Sequence, residues 1–413
     1  MRTLILLLLA AGPESERPLA WPSGPMEVRV ALARPFDPAT LESLAGRTIP
    51  FGEPGVEPRP TLKIAAARLD DASRTLILLT DPHPRRASYS LELPGLRAAG
   101  AYNLSGVEAT WDDGSEGAKP AWVAWWPRLD VEAAREQTEG SAGHRREFAL
   151  LAKPGRLTLS TLLTLPRGKA ALALEANAPI VEATLAGEAA EVEGKRSITL
   201  DVESTGDPVD LSVTLRTGPT PPKLRASIRN GSGAARLLSS QDVTVPWAPT
   251  TPPAPPAIAP LPFDLTGGDR TKGEAVFFSE EAKCSACHRV RGGKGGEVGP
   301  DLGELVGRDP ATVYRDIAEP SAVIRPEYVP YTVALKDGRV AVGLVRAEGA
   351  DGVRVLDAEA KAADFRRSDI EQLRPAATSI MPVGLAGALG EARMRDLLVF
   401  LLSPPPAGGA AKP

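Results

Sequence analysis

Prolines crowd one stretch of this chain, Pro246 to Pro262. The run Pro249-Thr-Thr-Pro-Pro-Ala-Pro-Pro inside it can continue neither a helix nor a sheet. Such a run favours extended polyproline II, a semi-rigid spacer between folded bodies. Residues 246–266 are therefore read as a linker. The division suits a chain of 413 residues, too long for one ordinary core.

Before the linker the pattern is that of strands. Val28, Val30 and Leu32 alternate with polar or small residues. So do Leu157, Leu159, Thr161, Leu163 and Leu165, and again Leu211, Val213 and Leu215. Alternation with period two places one face on a core and the other in water. Short segments of this kind between Gly, Pro and Asp turns predict β-sandwiches. Roughly 220 residues suit two sandwiches better than one, and they are expected at 26–113 and 120–245. The break is placed at the polar, Gly-rich stretch Gly114–Lys119. Val28 to Pro38, Thr75 to Thr80 and Tyr89 to Gly95 give the first of them a resemblance to bacterial immunoglobulin-like modules.

After the linker the texture changes. Asp269 can cap a helix with Gly273, Val276 and Phe277 on one side. Asp309-Pro310 begins another, with Val313 and Ile317 inward, that must end before Pro320. Leu389 to Leu402 makes a third. Between the second and third, Tyr331–Leu335 and Arg339–Val345 flank Lys336-Asp337-Gly338, a hairpin signal. The fold expected is thus multidomain: an all-β sandwich region, then a mainly α domain over 267–403 with a small β insertion. Residues 404–413 are expected to be a disordered tail.

At the start, Met1-Arg2-Thr3 precedes an apolar run from Leu4 to Ala11. That is the pattern of a secretory signal, and far too short to span a bilayer. A signal peptide over 1–20 and export to the periplasm or cell surface are expected. The net charge of −4 gives no basic face for nucleic acid. The two cysteines lie three residues apart, unlike the widely spaced disulfides common in exported proteins.

Those cysteines belong to Cys284-Ser285-Ala286-Cys287-His288, the C-x-x-C-H sequence of covalent haem attachment. Two thiols at this spacing reach the two vinyl groups of one haem, and the following imidazole sits under the iron. A zinc site would need two more ligands, but there is no further Cys, and His83 and His144 lie in the β region. A dithiol redox site would want a βαβ setting, which the pattern lacks.

A haem that only transfers electrons wants a sixth ligand. Met1 goes with the leader, Met26 is in the β region, and Met394 shares a helical face with Leu397 and Leu401. Met381, followed by Pro382 and Gly384 on a non-helical approach to the last helix, is the candidate axial ligand. A ligating His usually donates its other N–H to a carbonyl, and that of Pro300 is the natural acceptor.

Gly273–Phe277, Cys284–Val290, Val298–Leu302, Glu319–Ser321, Tyr331–Gly343, Asp369-Ile370 and Ser379–Pro382 together resemble the class I cytochrome c family, and closely its planctomycete-type haem-binding domain. The resemblance covers about a third of the chain. It implies a cytochrome c domain with one haem c held by Cys284, Cys287 and His288, His288 and Met381 ligating the iron. It also implies crossed first and last helices, with Gly273 and Phe277 meeting Leu397 and Phe400. The insertion between Glu327 and roughly Pro375 accounts for the long interval from His288 to Met381.

Many relatives join this domain to a dehydrogenase-like propeller. No propeller period and no catalytic triad occur here, so the expected role is an exported single-electron carrier with an unidentified redox partner, not an enzyme. One alternative is a haem enzyme or gas sensor with an open iron position. Another is a surface or carbohydrate-binding β protein with an accessory cytochrome domain, for which Trp111, Trp122, Trp125 and Trp126 are the candidate sugar contacts.

Overall fold

The computed structural model describes residues 18–249 and 256–405, apart from 54, 56, 57, 71–73, 97–99 and 193. Most of the leader, the proline run at 250–255 and most of the tail lie outside the described residues. The chain divides into two units at Thr250.

In the first unit, β1 (Leu19–Gly24), β2 (Glu27–Ala31), β3 (Thr48–Pro50), β4 (Thr61–Leu69) and β5 (Thr75–Thr80) form an antiparallel sheet in the order β1-β2-β5-β4-β3. The alternating Val28 and Val30 of β2 point into a core with Leu62, Ile64, Leu76 and Leu78. A ribbon of β6 (Tyr89–Leu91) and β7 (Gly100–Tyr102) adds Tyr89, Leu91 and Tyr102 to it. Leu19 and Ala20, counted above within a leader ending at 20, pair with Ala31 and Val30. They are part of the sheet.

Next come β8 (Val107–Asp112), β9 (Trp122–Trp126), α1 (Val131–Gln137), α2 (Ala142–Leu150), β10 (Gly155–Leu163), β11 (Gly168–Ala176), β12 (Ile180–Leu185), β13 (Glu188–Ala189), β14 (Ser197–Ser204), β15 (Val209–Thr217), β16 (Leu224–Asn230), β17 (Arg236–Leu237) and β18 (Val243–Thr244). One sheet runs β13-β12-β15-β10-β8-β9, with β18 on β10; the other runs β14-β11-β16-β17. Leu157, Leu159 and Leu163 of β10 and Leu211, Val213 and Leu215 of β15 meet Leu172, Leu174, Ala226 and Ile228 of the facing sheet, as a β-sandwich requires. Thr161, on the same inward face, is satisfied by donating to the Gly106 and Thr244 carbonyls.

The structure differs from the sequence reading of this unit at three places. Gly114–Lys119 lies in the turn of the β8–β9 hairpin, so β8 belongs with the second sandwich. The region is not wholly β: α1 and α2 interrupt it, their first turns capped by the side chains of Asp130 and Ser141. And Val245 and Ala248 are buried in the first core, with Trp247 packed on it, so the start of the supposed linker is folded structure.

The second unit is not mainly helical. Its helices are α3 (Arg270–Phe277), the single turn α4 (Cys284–Cys287), α5 (Pro310–Ala318) and α6 (Leu385–Leu402). Between α5 and α6 stand five strands: β19 (Tyr331–Leu335), β20 (Val340–Glu348), β21 (Gly352–Leu356), β22 (Ala362–Arg366) and β23 (Ile370–Pro375). This corrects the expectation of a mainly α cytochrome c domain with a small β insertion. Only the first hairpin was read from the sequence. Val353 and Val355 continue the period-two pattern on β21, and β23 closes onto β19.

The five strands are antiparallel, in the order β22-β21-β20-β19-β23. The long β20 pairs with β19 through Gly343 and with β21 from Leu344 on, so it serves two half-sheets. A side chain at Gly343 would strike the Leu356 carbonyl, which is why the bend is at glycine. A 3₁₀ turn at Arg367–Asp369 precedes β23. The order is that of one open five-stranded sheet with β22 and β23 at its edges. Its buried Tyr331, Val333, Leu335, Leu344, Val353, Val355 and Leu373 are separate from the helical core.

That helical core is set by α3 crossing α6. Asp269 caps α3, its carboxylate accepting from the Thr271 and Lys272 amides. Val276 and Phe277 face Met394, Leu397, Leu398, Phe400 and Leu401. Leu261, Phe263 and Leu265, within the supposed linker, pack against the same core.

Candidate functional site

The C-x-x-C-H segment forms one helical turn and then straightens. Lys283 enters it with a left-handed backbone, φ 50°. The turn carries Cys284 and Cys287, and its closing bond runs from the His288 amide to the Cys284 carbonyl, 2.9 Å. His288 itself is extended, φ −115° and ψ 140°, which swings the imidazole off the turn.

A glycine-rich loop then folds back along the motif. The Gly296, Gly299 and Leu302 amides donate to the Ser285, Cys287 and Arg289 carbonyls at 2.8–2.9 Å. The approach is too close for side chains. A Cβ on Gly296 would stand 2.0 Å from the Ala286 carbonyl oxygen, and one on Gly299 2.3 Å from Cε1 of His288. The imidazole therefore lies flat on Gly299, in a space only glycine leaves open.

The ring has one hydrogen bond, Nδ1 to the Pro300 carbonyl at 2.9 Å. A carbonyl only accepts, so Nδ1 carries the proton and Nε2 keeps its lone pair. Burial lowers the His288 pKa, opposed by the Pro300 bond, so the ring is neutral at pH 7. A neutral imidazole with one nitrogen tied to a carbonyl is what a metal ligand needs.

The thiols are half-buried and unbridged. Burial pushes Cys284 up to about 11. Cys287 is raised by burial and by the charge of Asp357, in the β21–β22 turn. A reactive dithiol needs the opposite shift, toward thiolate, so the setting disfavours thiol–disulfide chemistry. Among the described residues no group of three or more His, Cys, Asp or Glu side chains is gathered to hold a metal ion. His83 is buried and bonded to the Pro25 carbonyl and the Tyr102 hydroxyl, and His144 to the Trp125 carbonyl.

The bonds that place Met381 run elsewhere. Its amide donates to the Ser379 hydroxyl, 3.1 Å, and the Ser379 amide donates to the Ser321 hydroxyl, 3.0 Å. The loop before α6 is thereby tied to the end of α5. Met394 is buried in the helical core, as its spacing suggested. Val306, Val323 and Val383 expose apolar side chains on the segments after the glycine loop, after α5 and beside Met381.

Sequence reasoning gave Asp301 and Arg291 no role. The Asp301 carboxylate accepts from the Arg291, Gly292 and Gly303 amides at 2.7–2.8 Å. The Arg291 guanidinium donates to the Phe400 and Ser403 carbonyls at the end of α6 and lies 5.3 Å from the centre of the Phe400 ring. The Asp-x-Gly spacing of Asp301 and Gly303 is an Asx-turn signal that could have found the first of these.

Of the four tryptophans considered for sugar contact, Trp111 and Trp126 are core residues, and Trp111 donates to the Thr217 hydroxyl. Trp122 and Trp125 are half-buried, and Trp125 donates to the Ser105 carbonyl. No helix among the described residues is long and apolar enough to cross a membrane.

No family model matches the sequence, and no curated protein matches it. Among solved structures, an anti-sigma factor domain-containing protein is 10% identical over 55% of this chain and 91% of its own, with a TM-score of 0.28. One from Clostridium clariflavum is 9% identical over 56% and 92%, TM-score 0.27. The PA14 sugar-binding domain from an RTX adhesin is 13% identical over 34% and 99%, TM-score 0.23. Likeness this slight carries neither fold nor function to this chain. What distinguishes the molecule is local: two thiols on one turn and an imidazole held, Nε2 free, on a glycine.

Proposed function

We propose that this chain is exported, binds one haem covalently through Cys284 and Cys287, and uses it to pass single electrons to or from a partner protein. The observation that carries the reading is the Nδ1 bond of His288 to Pro300, which leaves Nε2 as the only ligating nitrogen. The residues fit the group in other ways. The cysteines share one helical turn, and Gly299 clears the space for the ring. His288 and Met381, the latter on its serine-anchored loop, would be the residues that hold the iron. Bound haem would supply the one-electron couple, which a thioether ligand moves to higher potential. The chain's own part is to tether, to orient the imidazole and to limit water at the cofactor.

The test is expression in a host that matures c-type cytochromes. The full chain should keep haem through denaturing electrophoresis, and replacing both cysteines with alanine should abolish this. A chain isolated without covalent haem would sink the proposal. Met381→Ala should lower the potential and let the reduced protein bind carbon monoxide.

A second reading gives the β unit the main role, with the haem segment accessory. Its support is β9, where Val123 is exposed and Trp122 and Trp125 are half-buried on opposite faces of the strand. Glycan-array binding by the full chain, lost in Trp122→Ala, would favour it.

A further inference from the structure

We infer that Asp301 and Arg291 are positioning residues for His288, together fastening the loop that faces the imidazole to the last helix; the inference rests on the reading of His288 as the haem ligand. The Pro300 carbonyl can hold the Nδ1 proton only if Pro300 is itself held, and proline has no amide to anchor it. The anchor is the next residue. Both Asp301 oxygens are used, one on the Arg291 and Gly303 amides and the other on Gly292. This ties the chain just after His288 to the chain just after Pro300, with the imidazole between.

The knot is also tight in space. A Cβ on Gly303 would fall 2.7 Å from Cα of Arg291. Arg291 has a left-handed backbone, φ 55°, uncommon for a residue with a side chain and kept only where its surroundings require it. In that conformation its guanidinium reaches the Phe400 and Ser403 carbonyls, the free acceptors at the end of α6, and lies against the Phe400 ring. The ligand loop is thus linked to the helix that packs on α3. Neither residue reaches His288 directly; both act through Pro300.

The chain has three histidines, so ¹⁵N-histidine NMR resolves each. Wild type should show His288 as the Nδ1–H tautomer with a slowly exchanging ring proton. Asp301→Ala should mix the tautomers and speed exchange at least roughly tenfold, as expected for a bond that opens locally. Arg291→Ala, which removes both bonds to the end of α6, should give a smaller change in the same direction. Asp357→Asn removes a charge near Cys287 without touching the loop and should leave the tautomer unchanged. If Asp301→Ala does not accumulate, Asp301→Asn, which puts a donor against one of the three amides, should still raise the exchange rate. Wild-type tautomer and exchange in these Asp301 variants would overturn the inference. The tautomer is compared on the haem-free chain, since iron on Nε2 would fix it, and the ring-proton exchange on both the haem-free and the matured chain. Absence of haem then counts against the proposed function, and an unmoved His288 counts against Asp301.

Discussion

Gly273 and Asp396 stand where two helix backbones touch: a Cβ on Gly273 would lie 1.9 Å from the Asp396 carbonyl oxygen. No rotamer change relieves a clash between a β-carbon and backbone. Gly273→Ala should therefore push α3 off α6 and cost about 2–3 kcal/mol despite alanine's better helix propensity. The check is thermal unfolding of the full chain by circular dichroism. An unchanged or raised melting temperature would refute the close crossing.

Phe277 is fully buried at that crossing, its ring 5.8 Å from that of Phe400. Phe277→Ala should cost about 3–5 kcal/mol, and Phe277→Leu about 1–2 kcal/mol. Denaturant titration measures both. Equal costs would mean that the cavity collapses freely.

Glu147 on α2 should make the first unit lose stability between mildly acid and neutral pH. Burial raises its carboxyl from 4.5 to about 7, against the pull of Arg29 and Arg146. The folded state thus prefers the protonated form. The unfolded chain ionises near 4.5, so stability falls as pH rises from there to about 7 and is level above. Glu147→Gln should match wild type near pH 4.5 and exceed it by about 2 kcal/mol at pH 8. Urea midpoints at the two values decide it.

His83 and His144 predict the opposite slope in acid. Burial lowers each from 6.5 to about 4, against the backbone bonds to Pro25 and Trp125. Their contribution is complete above the unfolded value of 6.5 and is lost as pH falls toward 4, on the order of 3 kcal/mol apiece. Fluorescence should report it, since Trp247 lies beside His83 and Trp21 beside His144. An acid transition with unchanged proton uptake in His83→Gln would count against it.

Much of this was legible where one residue type does one job. Val28, Val30 and Leu157–Leu165 announced strands because alternation is a local signal, and Asp269 and Asp309 announced helix starts because a cap acts on its own turn. Pairing was not legible. Nothing within Gly114–Lys119 distinguishes a domain break from a hairpin turn; the difference lies in β10, more than forty residues on. The five-stranded sheet was missed for the same reason. β22 is mostly exposed and shows no alternation, so its place is set by its ladder with β21. At the site, Cys284, Cys287 and His288 were legible as one short motif, and Pro300 as the proline that follows its glycine-rich loop. Asp301 left only the local Asp-x-Gly signal of an Asx-turn, and Arg291 acts on the Phe400 and Ser403 carbonyls more than a hundred residues on, which leaves no local mark.

The five-stranded sheet begins and ends at one point. Tyr331 pairs with Pro375, and the Ala376 amide donates to the Pro330 carbonyl at 2.8 Å. The chain leaves the helical body and returns within a strand's width of where it left. The sheet is therefore a cassette. Its forty-five residues form a closed excursion that a short link from Pro330 to Ala376 could replace without moving either flank. The motif that bears Cys284 and the loop that bears Met381 can in this way be far apart along the chain while the body that holds them stays small.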